Sequence, residues 1–370
     1  MAVRSDEARD RLRLVRTEGV GPITYRRLLS RYRTAAEAIE ALPGLARAGG
    51  RSSPLRIPGL DVAERELEKI AQFGARLVWL GDPDYPALLG ILDGAPPALS
   101  VLGDVSALNA KSVALVGARN ASTNGKRMAE LLASDLAASG LVVVSGMARG
   151  VDTAAHVGAL RAGRTVAAIA GGIDVVYPAE NAELQRLVAD CGAVVAEAPF
   201  GTAPQARHFP RRNRIIAGLS LGVIVVEAAP RSGSLITARL AADMGRELFA
   251  VPGSPLDPRC RGSNDLIRSG AQLVESATDV LEHLPDHPKT LLRPSRPGVA
   301  EAPEPYRATP ADADRARRLV LENLGHDPTA IDDLVRRCQL SASAVASALL
   351  ELELAGRLEV LPGNRACLVE

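Results

Sequence analysis

The stretch Val113-Ala114-Leu115-Val116-Gly117-Ala118-Arg119-Asn120-Ala121-Ser122 decides the fold. Four apolar residues ending at a glycine read as a strand buried on both faces. The helical pattern that follows, over 126–138, sets Met128, Leu131, Leu132 and Leu136 on one face. The same succession recurs on either side. Strand candidates lie at 77–80, 113–117, 142–145, 165–170, 193–197, 223–227 and 248–251, and a further helix at 234–245 places Ile236, Leu240 and Met244 four residues apart. Short apolar strands alternating with helices predict a Rossmann-like, doubly wound α/β domain on a parallel sheet, over about 76–284.

The flanks have other patterns. Residues 1–75 read as short helices forming a SAM-like or helix-hairpin-helix-like domain. Leu12 and Val15 precede the turn Glu18-Gly19-Val20-Gly21-Pro22, and Thr34 caps a helix carrying Ala38, Ile39 and Leu42. Paired amides at such a turn can hold a phosphate, but a lone Gly-x-Gly favours a plain tight turn between helices. Residues 285–310 carry seven prolines and read as a stiffened linker. Residues 311–370 read as three helices and a hairpin around Pro362-Gly363-Asn364, a winged helix. Its candidate recognition helix, 341–355, has no Lys or Arg and carries Glu351 and Glu353. Phosphates would repel it, so a protein-binding or dimer-supporting role is expected, with Arg336, Arg337 and Arg365 leaving backbone contact open.

Composition limits the function classes. A net charge of +1 over 370 residues excludes a uniformly basic protein, so any polyanion site must come from local clustering. The four cysteines, Cys191, Cys260, Cys338 and Cys367, lie far apart without metal-ligand spacing, so neither structural zinc nor any other cofactor is expected. The charged N-terminus lacks a secretory pattern, and no apolar run approaches the roughly 18 residues of a membrane helix, so a cytoplasmic protein is expected.

Ligands of an open parallel sheet bind at the carboxyl ends of its strands. Small residues gather at those ends: Gly117-Ala118-Arg119 with Ser122, Ser145-Gly146 with Arg149, Gly171-Gly172, and Ser232-Gly233-Ser234 with Thr237. Together they predict an anion-binding surface made of close backbone and free helix amides. A Walker A loop and a GxGxxG fingerprint are both absent, so an ATPase or nicotinamide enzyme is unsupported. The segment Arg207-His208-Phe209-Pro210-Arg211-Arg212-Asn213-Arg214 holds four arginines, and no Asp or Glu occurs from 198 to 226. Arginine forks suit phosphates, and Phe209 among them offers a base a stacking face. Some of these arginines must face inward, because Asn213 opens an apolar helical run. Asp152 and His156 share a helix face but have no nucleophile spaced to use them, so a capping Asp and a structural His are expected. No catalytic constellation stands out, and the protein is read as no enzyme.

These motifs resemble the DNA-processing protein A family (DprA/Smf). The resemblance rests on Val113 to Arg119, on Ser145-Gly146-Met147-Ala148-Arg149-Gly150-Val151-Asp152 with His156, and on Tyr177-Pro178. It continues through Phe209 to Ser220, Ser232 to Ala238, and Val251-Pro252-Gly253 followed by Gly262-Ser263-Asn264. It implies a dimer, formed through the Rossmann-like domains, that binds and protects incoming single-stranded DNA and loads the RecA recombinase onto it in natural transformation. It also implies phosphate contact at Arg119, base and backbone contact at Phe209 and Arg212-Asn213-Arg214, and a role for Ser232, Gly233, Ser234 and Thr237. Met147 and Val151 stand where Leu and Ile are usual, and the loop after Arg119 lacks an aromatic before Gly125, which weakens the case for base contact there. The competing reading is an enzyme acting on a free nucleotide, with Glu197 or Glu227 as its acid. A scaffold whose arginines serve only an interface is a third. Duplex binding, the surface that meets RecA, the partner of the winged helix, and the choice between transformation and repair are not legible in the sequence.

Overall fold

The computed structural model describes residues 5–286 and 309–369, so most of the expected linker lies outside the described residues. In chain order the strands are β1 (Arg76–Trp79), β2 (Ala98–Gly103), β3 (Ser112–Val116), β4 (Val142–Ser145), β5 (Thr165–Ile169) and β6 (Ala193–Ala196). They continue with β7 (Gly222–Val225), β8 (Glu247–Ala250), β9 (Gln272–Leu273), β10 (Thr329–Ala330), β11 (Leu358–Leu361) and β12 (Arg365–Leu368). The first helices are α1 (Ser5–Val15), α2 (Pro22–Arg31), α3 (Ala35–Ala48), α4 (Leu60–Gln72), α5 (Ala87–Gly90), α6 (Thr123–Ala138), α7 (Val151–Leu160) and α8 (Ala182–Cys191). Then come α9 (His208–Leu219), α10 (Gly233–Asp243), α11 (Arg261–Arg268), α12 (Ala277–His283), α13 (Pro310–Asn323), α14 (Ile331–Cys338) and α15 (Ala342–Leu354). These elements form two compact units, Glu68–Leu292 and a terminal unit that joins Met1–Leu67 to Arg293–Glu370.

The central unit is a sheet covered by helices on both faces. Strand order is β1-β2-β6-β5-β4-β3-β7-β8-β9. Alternate residues of each strand feed opposite cores. Ala114, Val116 and Val144 meet Ile215, Ile216 and Leu219 of α9, while Val113, Leu115 and Val143 meet Leu132 and Leu136 of α6 and Ala155 of α7. From β3 the chain winds through β4 and β5 to β6. From β7 it winds the other way, to β8 and β9. The loops leaving β3 and β7 therefore diverge and open a crevice at the carboxyl edge, the topological switch point.

The sheet differs from the purely parallel expectation in one place. Strand β2 pairs antiparallel with both β1 and β6. Its sequence, Ala-Leu-Ser-Val-Leu-Gly after Pro96-Pro97, is broken by Ser100 and preceded only by the four-residue α5, too short to show a helical period, so the strand–helix alternation misses it. The two-residue β9 is too short to carry a periodic signal.

In the terminal unit, Thr34 caps α3 by accepting from the Glu37 amide. The winged helix gains a third strand beyond the expected hairpin, because β10 pairs with β12. Ser341 caps α15, whose residues are buried along most of their length. Among the described residues no helix is long and apolar enough to cross a membrane, and no group of side chains could hold a metal ion.

Candidate functional site

The crevice at the switch point is a cleft of about 910 Å3. Its walls come from the loop after β3 (Gly117 to Asn120), from α9 (Phe209, Arg212, Asn213) and from the start of α10 (Ser232, Gly233, Ser234, Thr237). A second, smaller hollow of about 330 Å3 adjoins it beyond Arg119 and Phe209, reaching Gly146, Arg149 and Tyr177.

Backbone contacts set the position of Arg119. Gly150 has φ 79°, and a Cβ there would lie 2.3 Å from the Ala118 carbonyl oxygen and 2.6 Å from that of Arg119. Only glycine lets the loops after β3 and β4 approach this closely. The neighbouring Met147 is buried at φ 60°, a strained conformation for a side-chain-bearing residue, held by the Asn181 amide donating to its carbonyl at 2.8 Å. On the far side Ser122 caps α6 by accepting from the Gly125 amide at 2.9 Å. The Ser122 hydroxyl and amide donate to the two oxygens of Glu227, at 2.5 and 2.9 Å.

Arg119 lies over Phe209, its Cζ 4.8 Å from the ring centroid. Tyr177 meets the same ring at 5.7 Å between centroids and a tilt of 59°. Among the described residues no hydrogen bond or ion pair engages the side chains of Arg119, Arg211 or Arg231. These three exposed guanidinium groups leave their forks open to an anion. Ser232 caps α10, its hydroxyl accepting from the Ser234 amide and sharing a hydrogen bond with the Ser234 hydroxyl at 2.7 Å. The helix N-terminus is thereby aimed into the cleft.

The remaining expected contact residues hold the frame. Arg212 is 6% exposed. It donates through Nη1 to the carbonyls of Gly146 and Ala168, the latter at 2.8 Å. It also faces the buried Asp152, whose carboxyl is pushed up by burial against the pull of Arg212 and of nearby amides. Arg214 lies outside both hollows, bonded to the Gly94 carbonyl and the Glu197 carboxylate. Arg149 forms a two-point pair with Glu180 at 2.6 and 2.7 Å. The Ser145 hydroxyl is buried and donates to the Leu115 carbonyl, and Asn213 donates to that of Gly233 at 3.3 Å. The side chains of Ser122, Ser145 and Arg214 are thus each engaged by the protein itself and brace the loops of the cleft. The cause is an internal acceptor within reach of each.

Neither acid of the competing reading is placed to work. Glu227 is tied to Ser122 and Glu197 to Arg214, and neither lines the cleft. His156 is fully buried. Thr165 gives its hydroxyl proton to the Val143 carbonyl at 2.7 Å, so His156 Nδ1 must donate to Thr165. Burial and then Arg212 lower its pKa to about 3. A histidine held neutral in the folded state costs stability as pH falls from its unfolded value near 6.5 toward 3, by up to ~1.4 kcal/mol per pH unit. Thermal melts between pH 7 and 5 are expected to fall, and His156→Gln to flatten that fall. An unchanged slope in the variant would remove His156 from the acid response.

The sequence reading places Asn120 in the loop after β3 but leaves out Arg231 as a cleft residue. Arg231 stands one position before a helix cap, a place where a cation faces the same ligand as the helix amides, and that signal was readable. In the sequence Tyr177 is a motif residue without a role, since only the folded chain brings it to Phe209.

Comparison with known proteins gives a consistent set of matches. The family model described as DNA recombination-mediator protein A covers residues 76–285, a DprA-like N-terminal HHH domain covers 5–68, and a DprA winged helix domain covers 303–364. Protein Smf of Escherichia coli is 39% identical over 79% of this chain and 81% of its own length. The X-ray structure of DNA processing protein A from Streptococcus pneumoniae superposes with a TM-score of 0.64 at 36% identity, covering 75% of this chain and 97% of that one. That of Helicobacter pylori, which concerns a single-stranded-DNA binding mode, has a TM-score of 0.51 at 31% identity, covering 56% and 94%.

Proposed function

The chain belongs to the DprA/Smf family of DNA recombination mediators, and on that premise we propose that it binds single-stranded DNA across the carboxyl edge of its sheet. In this reading the bound strand is protected and RecA is loaded onto it, by a homodimer acting in natural transformation or repair. One observation carries it: the unpaired arginines Arg119 and Arg231 and a half-buried aromatic ring share one cleft with a capped helix N-terminus. Arginine forks and amides serve phosphates, and the ring serves a base; several phosphate-holding groups beside one ring suit the successive nucleotides of a strand.

Phosphates would be held by Arg119, Arg211 and Arg231 together with the amides of Gly233 and Ser234. Gly117 and Gly146 keep the neighbouring backbone close, and the buried Arg212 supports Phe209 from below, its Cζ 6.0 Å from the ring. Fluorescence anisotropy with a labelled oligothymidylate of about twenty nucleotides tests this, with thymidine monophosphate as competitor and product analysis alongside. Equal affinity for the mononucleotide, or conversion of it, would favour the enzyme reading instead.

Phe209→Ala is expected to weaken oligonucleotide binding by about 1–3 kcal/mol, the worth of one stacked base. Phe209→Trp should retain most of the affinity. Equal losses in both would mean the ring supports the fold and does not stack.

A further inference from the structure

The helix that a winged helix lays against DNA is turned here toward the chain's own N-terminal helices. One side of α15, with Val345, Ala348, Leu349 and Leu352, closes the winged-helix core against Val320 and Leu334. The other side sends Leu350 and Leu354 into a second core beside Leu14, Tyr25, Leu28 and Leu42. A helix that is apolar nearly all round is a buried helix, and this one is walled by two domains.

The contact is close enough to need a glycine. A Cβ on Gly49, just past α3, would lie 2.0 Å from the Glu351 carbonyl oxygen and 2.9 Å from Ala355 Cβ. Polar links cross the same seam. Arg31 donates to the Ser347 hydroxyl at 3.2 Å, and Arg51 donates to the Leu354 carbonyl at 3.4 Å. Glu353 lies largely buried beside Arg27, and burial raises its carboxyl above the usual range. The helix carries no basic residue to compete for phosphate.

We propose that the winged helix is the docking partner of the N-terminal helical domain, with α15 as the shared wall of one folding unit. In this state α15 does not read duplex DNA. Hydrogen exchange followed by mass spectrometry on the full chain tests both statements. Gly49→Val and the milder Gly49→Ala alter the N-terminal side alone, yet α15 amides are expected to exchange at least tenfold faster in the valine variant. Leu350→Glu alters the C-terminal side alone, and α2 and α3 should lose protection. Exchange in β3 to β7 should stay unchanged and so reports an intact central unit. Adding a 20-base-pair duplex should leave α15 exchange as it was. Unaltered α15 exchange in both Gly49 variants, unaltered α2 and α3 in Leu350→Glu, or duplex-induced protection of α15 would each overturn the proposal.

Discussion

Arg119→Ala is expected to weaken binding of single-stranded DNA by roughly one to two orders of magnitude at low salt, equally for every base sequence. A charge-assisted hydrogen bond is worth about 1.5–3 kcal/mol, and Arg119 brings to the cleft an exposed fork that, among the described residues, has no hydrogen-bond or ion-pair partner. Each phosphate neutralised on a single strand contributes about 0.7 to the slope of log affinity against log salt. The variant's slope should flatten by about that amount, and Arg119→Lys should keep the slope while losing part of the affinity, because a point charge replaces a fork. Anisotropy titrations between about 50 and 300 mM salt measure both quantities. An Arg119→Ala protein with undiminished affinity and slope would show that phosphates lie elsewhere.

The second large effect is on stability. Arg212→Ala is expected to lower the melting temperature of the central unit by on the order of 10 °C. Removing the cation that faces a buried carboxyl, together with its two buried hydrogen bonds, costs about 3–5 kcal/mol, and a unit of this size shifts by about 2–4 °C per kcal/mol. The change strands Asp152, which is buried with Arg212 as its principal compensating charge. It also leaves the Gly146 and Ala168 carbonyls without their donor. The pH dependence has a definite sign. Without Arg212 the folded-state pKa of Asp152 rises further above its unfolded value, so the deficit is largest at neutral pH and shrinks as protonation becomes possible on acidification. Calorimetry at pH 7 and pH 5, with Asp152→Asn in the variant background as a partial rescue, checks this. A deficit that does not change with pH would point to lost packing and lost carbonyl hydrogen bonds as the cause, not to a stranded charge.

The contrast between these two arginines shows what the sequence reveals and where it stops. The parallel core was legible because Val113 to Val116 and its counterparts are apolar throughout, which only a doubly covered strand tolerates. The cleft was legible because glycine and serine recur after successive strands. Strand β2 was not, since nothing in six residues after a pair of prolines reports the direction of a neighbour. Nor was the fate of each arginine. Arg212 shares a helical face with Ile215, Ile216 and Leu219, and this spacing marks it as inward. Arg214 turns inward only because Glu197 and the Gly94 carbonyl, far away in sequence, are there to receive it. The acid-free segment around Phe209 was therefore a sound sign of positive field but a poor census of ligand contacts.

The resting contact between Arg119 and Phe209 has a thermodynamic consequence. The aromatic face is already occupied by a guanidinium group, so an arriving base exchanges one stacking partner for another and covers little fresh apolar surface. The heat-capacity change of association should be small for the area covered. Because the loops are already fixed by Gly150 and by the Ser122–Glu227 link, little ordering accompanies capture. When the strand departs, Arg119 can return to the ring, which leaves no bare hydrophobic face behind. Such a site grips without trapping, which suits the strand hand-over proposed above.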